Sequence, residues 1–134
     1  MKVFLDENVP VTLTAVLSDF DVSTVATRGW KGMRNGALLR AVSVEHDVFL
    51  TADRGIPMQN DLREIELSIL VVPTNRLTVL KAAAIAIVGS LKELAVLEER
   101  AVMVIDFRGR RTLQRTMPLA DSEPVSIAPV PPFD

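Results

Sequence analysis

Apolar positions along the chain fall into two patterns. Short runs at Lys2–Leu5, Asp47–Thr51 and Leu67–Val72 have the length and composition of strands buried on both faces of a sheet. Asp21–Val25 alternates and is β-branched, which predicts a second strand between the first two. Between the strands the period lengthens. Leu13, Val16, Leu17 and Phe20 predict a helix over Pro10–Ser18. Leu38, Leu39 and Val42 predict another over Gly36–Glu45, with Asn35 as its cap. Leu77, Leu80, Ala84, Ile87, Val88, Leu91 and Leu94 predict a long helix over Leu77–Leu97, in which Gly89 costs about 1 kcal/mol relative to Ala or marks a close contact. Ile56–Asp61 reads as irregular, broken by Pro57, with a short helical turn over 60–63. Ala101–Phe107 is a last strand, Arg108-Gly109 a turn, and Arg110–Thr116 its hairpin partner.

This order predicts an α/β fold with a mostly parallel sheet, right-handed crossovers and helices on both faces. Residues 1–100 form the expected domain, 101–116 a strand or hairpin extension, and 117–134 a tail. The tail holds five of the eight prolines and no basic residue, a composition that predicts an extended segment without a core of its own.

Composition narrows the chemistry. The chain has 134 residues, 49% of them hydrophobic and only 4% aromatic, so the core is aliphatic. A formal net charge of −2 gives no global basic field for nucleic acid and leaves local patches to do that work. Without cysteine there are no disulfides or thiolate metal sites, and with one histidine there is no His-based triad or zinc site. No apolar stretch approaches the roughly 20 residues that cross a bilayer, and no leader is evident, so the expected setting is the cytoplasm.

Two apolar strands end in carboxylates: the first in Asp6-Glu7-Asn8, the third in Thr51-Ala52-Asp53. In a parallel sheet both ends lie on one edge, so Asp6 and Asp53 converge if their strands are neighbours. Convergent carboxylates helped by amide oxygens suit Mg²⁺ or Mn²⁺, and such an ion activates water for phosphodiester hydrolysis. Asn35, at the start of the second helix, is placed to point at the same edge. Arg28, Lys31, Arg34 and Arg54 are candidates for holding a phosphate backbone, and Trp30 for stacking on a base. Each has a plainer reading. Asp6, Asn8 and Asn35 fit helix caps, Glu7 a solvated neighbour, Trp30 a packing plug, the basic residues a solvated surface, and His46 a helix-end dipole contact.

Three blocks of the chain, Leu5-Asp6-Glu7-Asn8-Val9-Pro10, Gly29 to Leu39, and Leu50 to Asn60, resemble a family of short bacterial PIN-like proteins related to PIN-domain ribonucleases, including VapC-type toxins. The likeness runs from Met1 to about Leu97. It implies a Rossmann-like PIN fold with acidic residues at the carboxyl edge of the sheet. Asp6 would be the first metal-binding acid and Asp53 a later one, with Thr51 supporting it and with Asn8 and Gln59 beside the substrate. It implies an RNA substrate, an antitoxin protein as partner, and a homodimer. The chain departs from typical relatives where they carry acids: at Asn35, and at Gly55, two residues past Asp53. The acid set is thinned to Asp6, Glu7 and Asp53, which lowers cation affinity. Two functions follow as expectations. One is an Mg²⁺- or Mn²⁺-dependent endoribonuclease, as the toxin of a toxin–antitoxin pair; the other is a catalytically inactive PIN-like module that binds RNA or a protein.

Overall fold

The computed structural model describes residues 1–62, 64–116 and 123–134. Seven strands form one sheet in the order β2-β1-β3-β4-β5-β6-β7: β1 Lys2–Leu5, β2 Asp21–Thr24, β3 Val48–Thr51, β4 Ser68–Val71, β5 Ala101–Ile105, β6 Arg111–Arg115 and β7 Val125–Ile127. The first five pair in parallel; β6 and β7 are antiparallel additions. The protein is thus α/β, with a mostly parallel mixed sheet flanked by helices. No helix among the described residues is long and apolar enough to cross a membrane.

The central strands read as unbroken apolar runs because both faces are covered, and successive residues feed opposite cores. Val3, Leu5, Val48, Leu50, Leu70 and Met103 pack on one face, under a 3-10 helix (Val11–Leu17), α4 (Leu77–Ala82) and α5 (Ala84–Ala95). Phe4, Phe49, Ile69, Val71 and Val102 pack on the other, under α1 (Val25–Arg28), α2 (Asn35–Glu45) and α3 (Ile56–Gln59).

Several elements depart from the periodicity. Val11–Leu17 closes as a 3-10 helix; four of its seven residues are β-branched and only Leu13 and Leu17 are buried. The long helix is interrupted at Ala83 (φ −96°, ψ 15°), which closes α4 and opens α5, against the high helix propensity of the alanines around it. Gly89 makes no close contact, since an added Cβ would meet nothing within 4 Å. Pro57 does not break its segment. It sits in the first turn of α3, where its missing N–H costs nothing, and the helical turn lies at 56–59, short of the predicted 60–63, of which residue 63 is not described.

Over residues 123–134 the tail is extended, as its prolines require, yet it contributes to the core. β7 pairs with β6, and Phe133 is 2% exposed among residues of the first core. The reason is Gly109. Its carbonyl accepts a hydrogen bond from Val130 N at 2.9 Å, and at φ +82° it carries no Cβ, which would stand 1.9 Å from Val130 O. Part of the predicted tail, 117–122, lies outside the described residues.

The strand order reverses direction beside β1. The chain steps from β1 to β2 on one side, then returns past β1 to β3 on the other. In open α/β sheets the crevice beyond the carboxyl ends at such a reversal is where ligands bind.

Candidate metal and phosphate site at the β1–β3 edge

Leu5 is in register with Leu50, so Asp6 follows β1 directly beside Thr51, the last residue of β3. By strand alternation both side chains leave the sheet on the Phe4/Phe49 face. Thr51 is the hub. Its hydroxyl donates to Asp6 Oδ2 at 2.7 Å and accepts from Asp53 N at 3.0 Å and from Asn8 Nδ2 at 3.5 Å. Asp6 Oδ1 accepts from Glu7 N at 2.8 Å. Asn8 Oδ1 accepts from Ala52 N at 3.2 Å, so Asn8 ties the β1 end to the β3 end and does not cap the following 3-10 helix, which has no side-chain cap.

The Thr51 hydroxyl bonds the Asp6 carboxylate and the main-chain N–H of Asp53, and the negative charge of Asp53 acts on Asp6. Asp6 is 7% exposed. Burial pushes its carboxyl above the usual range, the Thr51 and Glu7 hydrogen bonds pull it back, and the negative charges of Asp53 and Glu7 add to the rise. Asp53 is half-buried, and its Oδ1 accepts from Gly55 N at 2.8 Å, which shapes the turn into α3. The Gln59 amide lies over Gly55: a Cβ there would stand 3.0 Å from Gln59 Nε2 and 3.2 Å from Asp53 Oδ1. A side chain at position 55 would require the exposed end of Gln59 to shift.

Asn35 is the first residue of α2, not its cap; Arg34 holds the cap position without a side-chain bond. Asn35 is exposed. The start of α2 lies against the residue that follows α3, since Asn60 has its Oδ1 3.7 Å from where a Gly36 Cβ would be. Glu7, Lys31, Arg34 and Arg54 are exposed around the edge. Arg28 is engaged elsewhere, in an ion pair with Glu45 and above the Trp30 ring, 5.7 Å from its centroid. Trp30 is half-buried and stacks on Phe4 at 5.7 Å, which in turn stacks on Phe49 at 5.9 Å. Trp30 therefore plugs the α2-side core. His46, 3% exposed, meets Phe4 edge-on and shares a hydrogen bond with Val42 O through Nδ1, while its Nε2 has no partner among the described residues.

Asp6, Asp53 and the amide oxygen of Asn8 are hard oxygen donors of the type that Mg²⁺ and Mn²⁺ take. The set is sparse: the described residues hold no group of three or more His, Cys, Asp or Glu placed to bind a metal together. Sequence reasoning missed a cavity of about 320 Å³ against the β2 side of Asp6, lined also by Leu5, Glu7, Val9, Pro10, Val11, Thr24, Val25, Ala26 and Lys31. No motif marks it, because its walls come from separate segments that only the β1–β2 pairing brings together. Comparison of the chain with known protein families, with curated proteins and with solved structures finds no match.

Proposed function

We propose that this chain is a PIN-like, Mg²⁺- or Mn²⁺-dependent endoribonuclease, acting as the toxin of a toxin–antitoxin pair, with Asp6 and Asp53 as the metal-holding acids. One observation carries the reading: at the strand-order reversal a single hydroxyl, that of Thr51, donates to the Asp6 carboxylate and accepts from the main-chain N–H of Asp53, which sets the two acids side by side in the fold. A buried acid with raised proton affinity beside two further negative charges stores repulsion that a divalent cation would relieve. When bound, the ion would supply an activated water and neutralise phosphate charge. The chain's own residues would do the rest. Asp6 and Asp53 would anchor, Thr51 and Asn8 would fix their orientation, Glu7 and Asn35 would assist at the rim, and Arg34, Lys31 and Arg54 would draw the RNA backbone to the edge.

The test is cleavage of a mixed-sequence RNA in Mn²⁺ by the native chain and by Asp6→Asn and Asp53→Asn. The expected outcome is metal-dependent cutting lost in both variants, and unchanged cutting in both would overturn the assignment. A second reading, an inactive PIN-like module that binds RNA or a protein, is favoured by the sparse acid set and by Gln59 lying over Gly55. RNA retained by the native chain in Mn²⁺ without cleavage is the outcome that selects it.

A further inference from the structure

The cavity on the β2 side of Asp6 does not include Asp53 in its lining, yet Asp6 forms one of its walls. A phosphate held at Asp6 and Asp53 would therefore stand at the cavity's edge. Its volume, about 320 Å³, lies near the lower bound of small-ligand pockets, which run from roughly 300 to 1,000 Å³. The lining is mainly aliphatic, from Val9, Val11, Val25 and Ala26, with Val11 58% exposed at its rim. Apolar walls with a few polar groups are what an unstacked base takes in place of its neighbours in a strand. Besides Asp6, two further charged groups line it: Lys31, exposed, for a flanking phosphate, and Glu7, an acceptor for amino groups of a base.

We infer that this cavity is a base subsite, receiving the nucleobase next to the phosphate bound at Asp6 and Asp53; the inference rests on the ribonuclease reading and supplies its substrate contact. The lining divides the work. The 3-10 helix and α1 contribute the walls through Val11, Val25 and Ala26, β1 and the residues after it contribute Asp6, Glu7 and Val9, and Lys31 lies in the loop beyond α1. Ala26 is the position at which the cavity can be filled without touching the acids, since it is exposed on α1 and its neighbour Val25 carries the buried contact.

The experiment is an amide and methyl NMR titration of the full chain, without metal, using the nucleosides cytidine, uridine, adenosine and guanosine as probes, which carry no phosphate for the carboxylates to repel. Saturable shifts are expected at Val9, Val11, Val25, Ala26 and Lys31. In Ala26→Leu, whose unperturbed spectrum elsewhere reports an intact fold, binding is expected to weaken at least about tenfold, or 1.4 kcal/mol. Shifts absent, shifts mapping to another surface, or Ala26→Leu binding as the native chain does would each overturn the subsite. The two readings fail separately. Shifts in the cavity with no Mn²⁺-dependent cleavage would sink the nuclease and keep the subsite, and cleavage without cavity shifts would do the reverse.

Discussion

Arg111 and Asp6 are both charged and both almost sealed from solvent, at 4% and 7% exposure. Their surroundings differ in kind. Arg111 donates to Ala128 O at 2.8 Å, to Ser90 Oγ at 3.1 Å and to Glu93 Oε2 at 3.0 Å, so its charge meets fixed acceptors from α5 and from the chain after β7. Asp6 accepts two hydrogen bonds but faces two further negative charges, Asp53 and Glu7. A buried charge matched by its neighbours is a strut; one left among like charges is held at some cost to the fold, and such groups concentrate at functional sites. The antiparallel β5–β7 side thus holds a charge matched by its neighbours, and the carboxyl edge at β1 and β3, the candidate site, holds one that is not.

That contrast is open to direct attack. The largest effect should come from the strut. Arg111→Met removes a buried guanidinium and its hydrogen bonds to Ser90 and Ala128, leaving the half-exposed Glu93 to water, and should lower the unfolding free energy by about 3 kcal/mol in a urea titration. A loss within error of zero would mean that the charge is not structural. Next is the latch at Gly109. Gly109→Ala places a Cβ where Val130 O stands and forces a left-handed residue, so the segment through Phe133 should release. The expected cost is about 2 kcal/mol, from the left-handed strain and the lost burial of Phe133. Limited proteolysis should then cut this segment faster than in the native chain.

At the site the sign should reverse. Burial raises the Asp6 carboxyl, so the folded state holds its proton to a higher pH than the unfolded chain does, and ionised Asp6 opposes folding as pH rises above 3.8. Asp6→Asn should therefore raise the melting temperature slightly in metal-free buffer at neutral pH. Added Mn²⁺ should stabilise the native chain and not the variant. A melting temperature that falls in Asp6→Asn would place Asp6 with the struts.

The smallest effect belongs to His46. Burial pushes its imidazole below the ordinary value of 6.5, assisted by the positive charges of Arg28 and Lys2 and opposed by its bond to Val42 and by Glu45. A lowered folded value means the unfolded chain takes up the proton first. Stability should be full above pH 6.5 and should decline as pH falls from 6.5 through the lower folded value. His46→Phe, which fills the same aromatic contact with Phe4, should flatten that acid-side decline.

The strands, the sheet's parallel core and the Asp6–Asp53 edge were legible because buried parallel strands read as unbroken apolar runs and their polar endings stand out. Asn35 could be placed on the right helix but not in the right role, since whether a residue caps or opens a helix depends on backbone angles that composition does not fix. Arg28 read as a phosphate-holding or solvated residue, and Trp30 as either a stacking platform or a packing plug, because a basic, Gly-flanked loop looks solvated. Their engagement with Glu45 and Phe4 is long-range, and no local pattern encodes it. The burial of Arg111 and the docking of Phe133 were equally hidden, although a lone aromatic in an acidic, proline-rich tail was a signal that the segment returns to the core.

The claim at the centre of this account is that Asp6 and Asp53 together hold a divalent cation. Calorimetric titration of Mn²⁺ into the native chain, Asp6→Asn, Asp53→Asn and Glu93→Gln tests it most directly. The account predicts saturable binding to the native chain and to Glu93→Gln, and its loss in both site variants. Isotherms that are the same in all four proteins would contradict it.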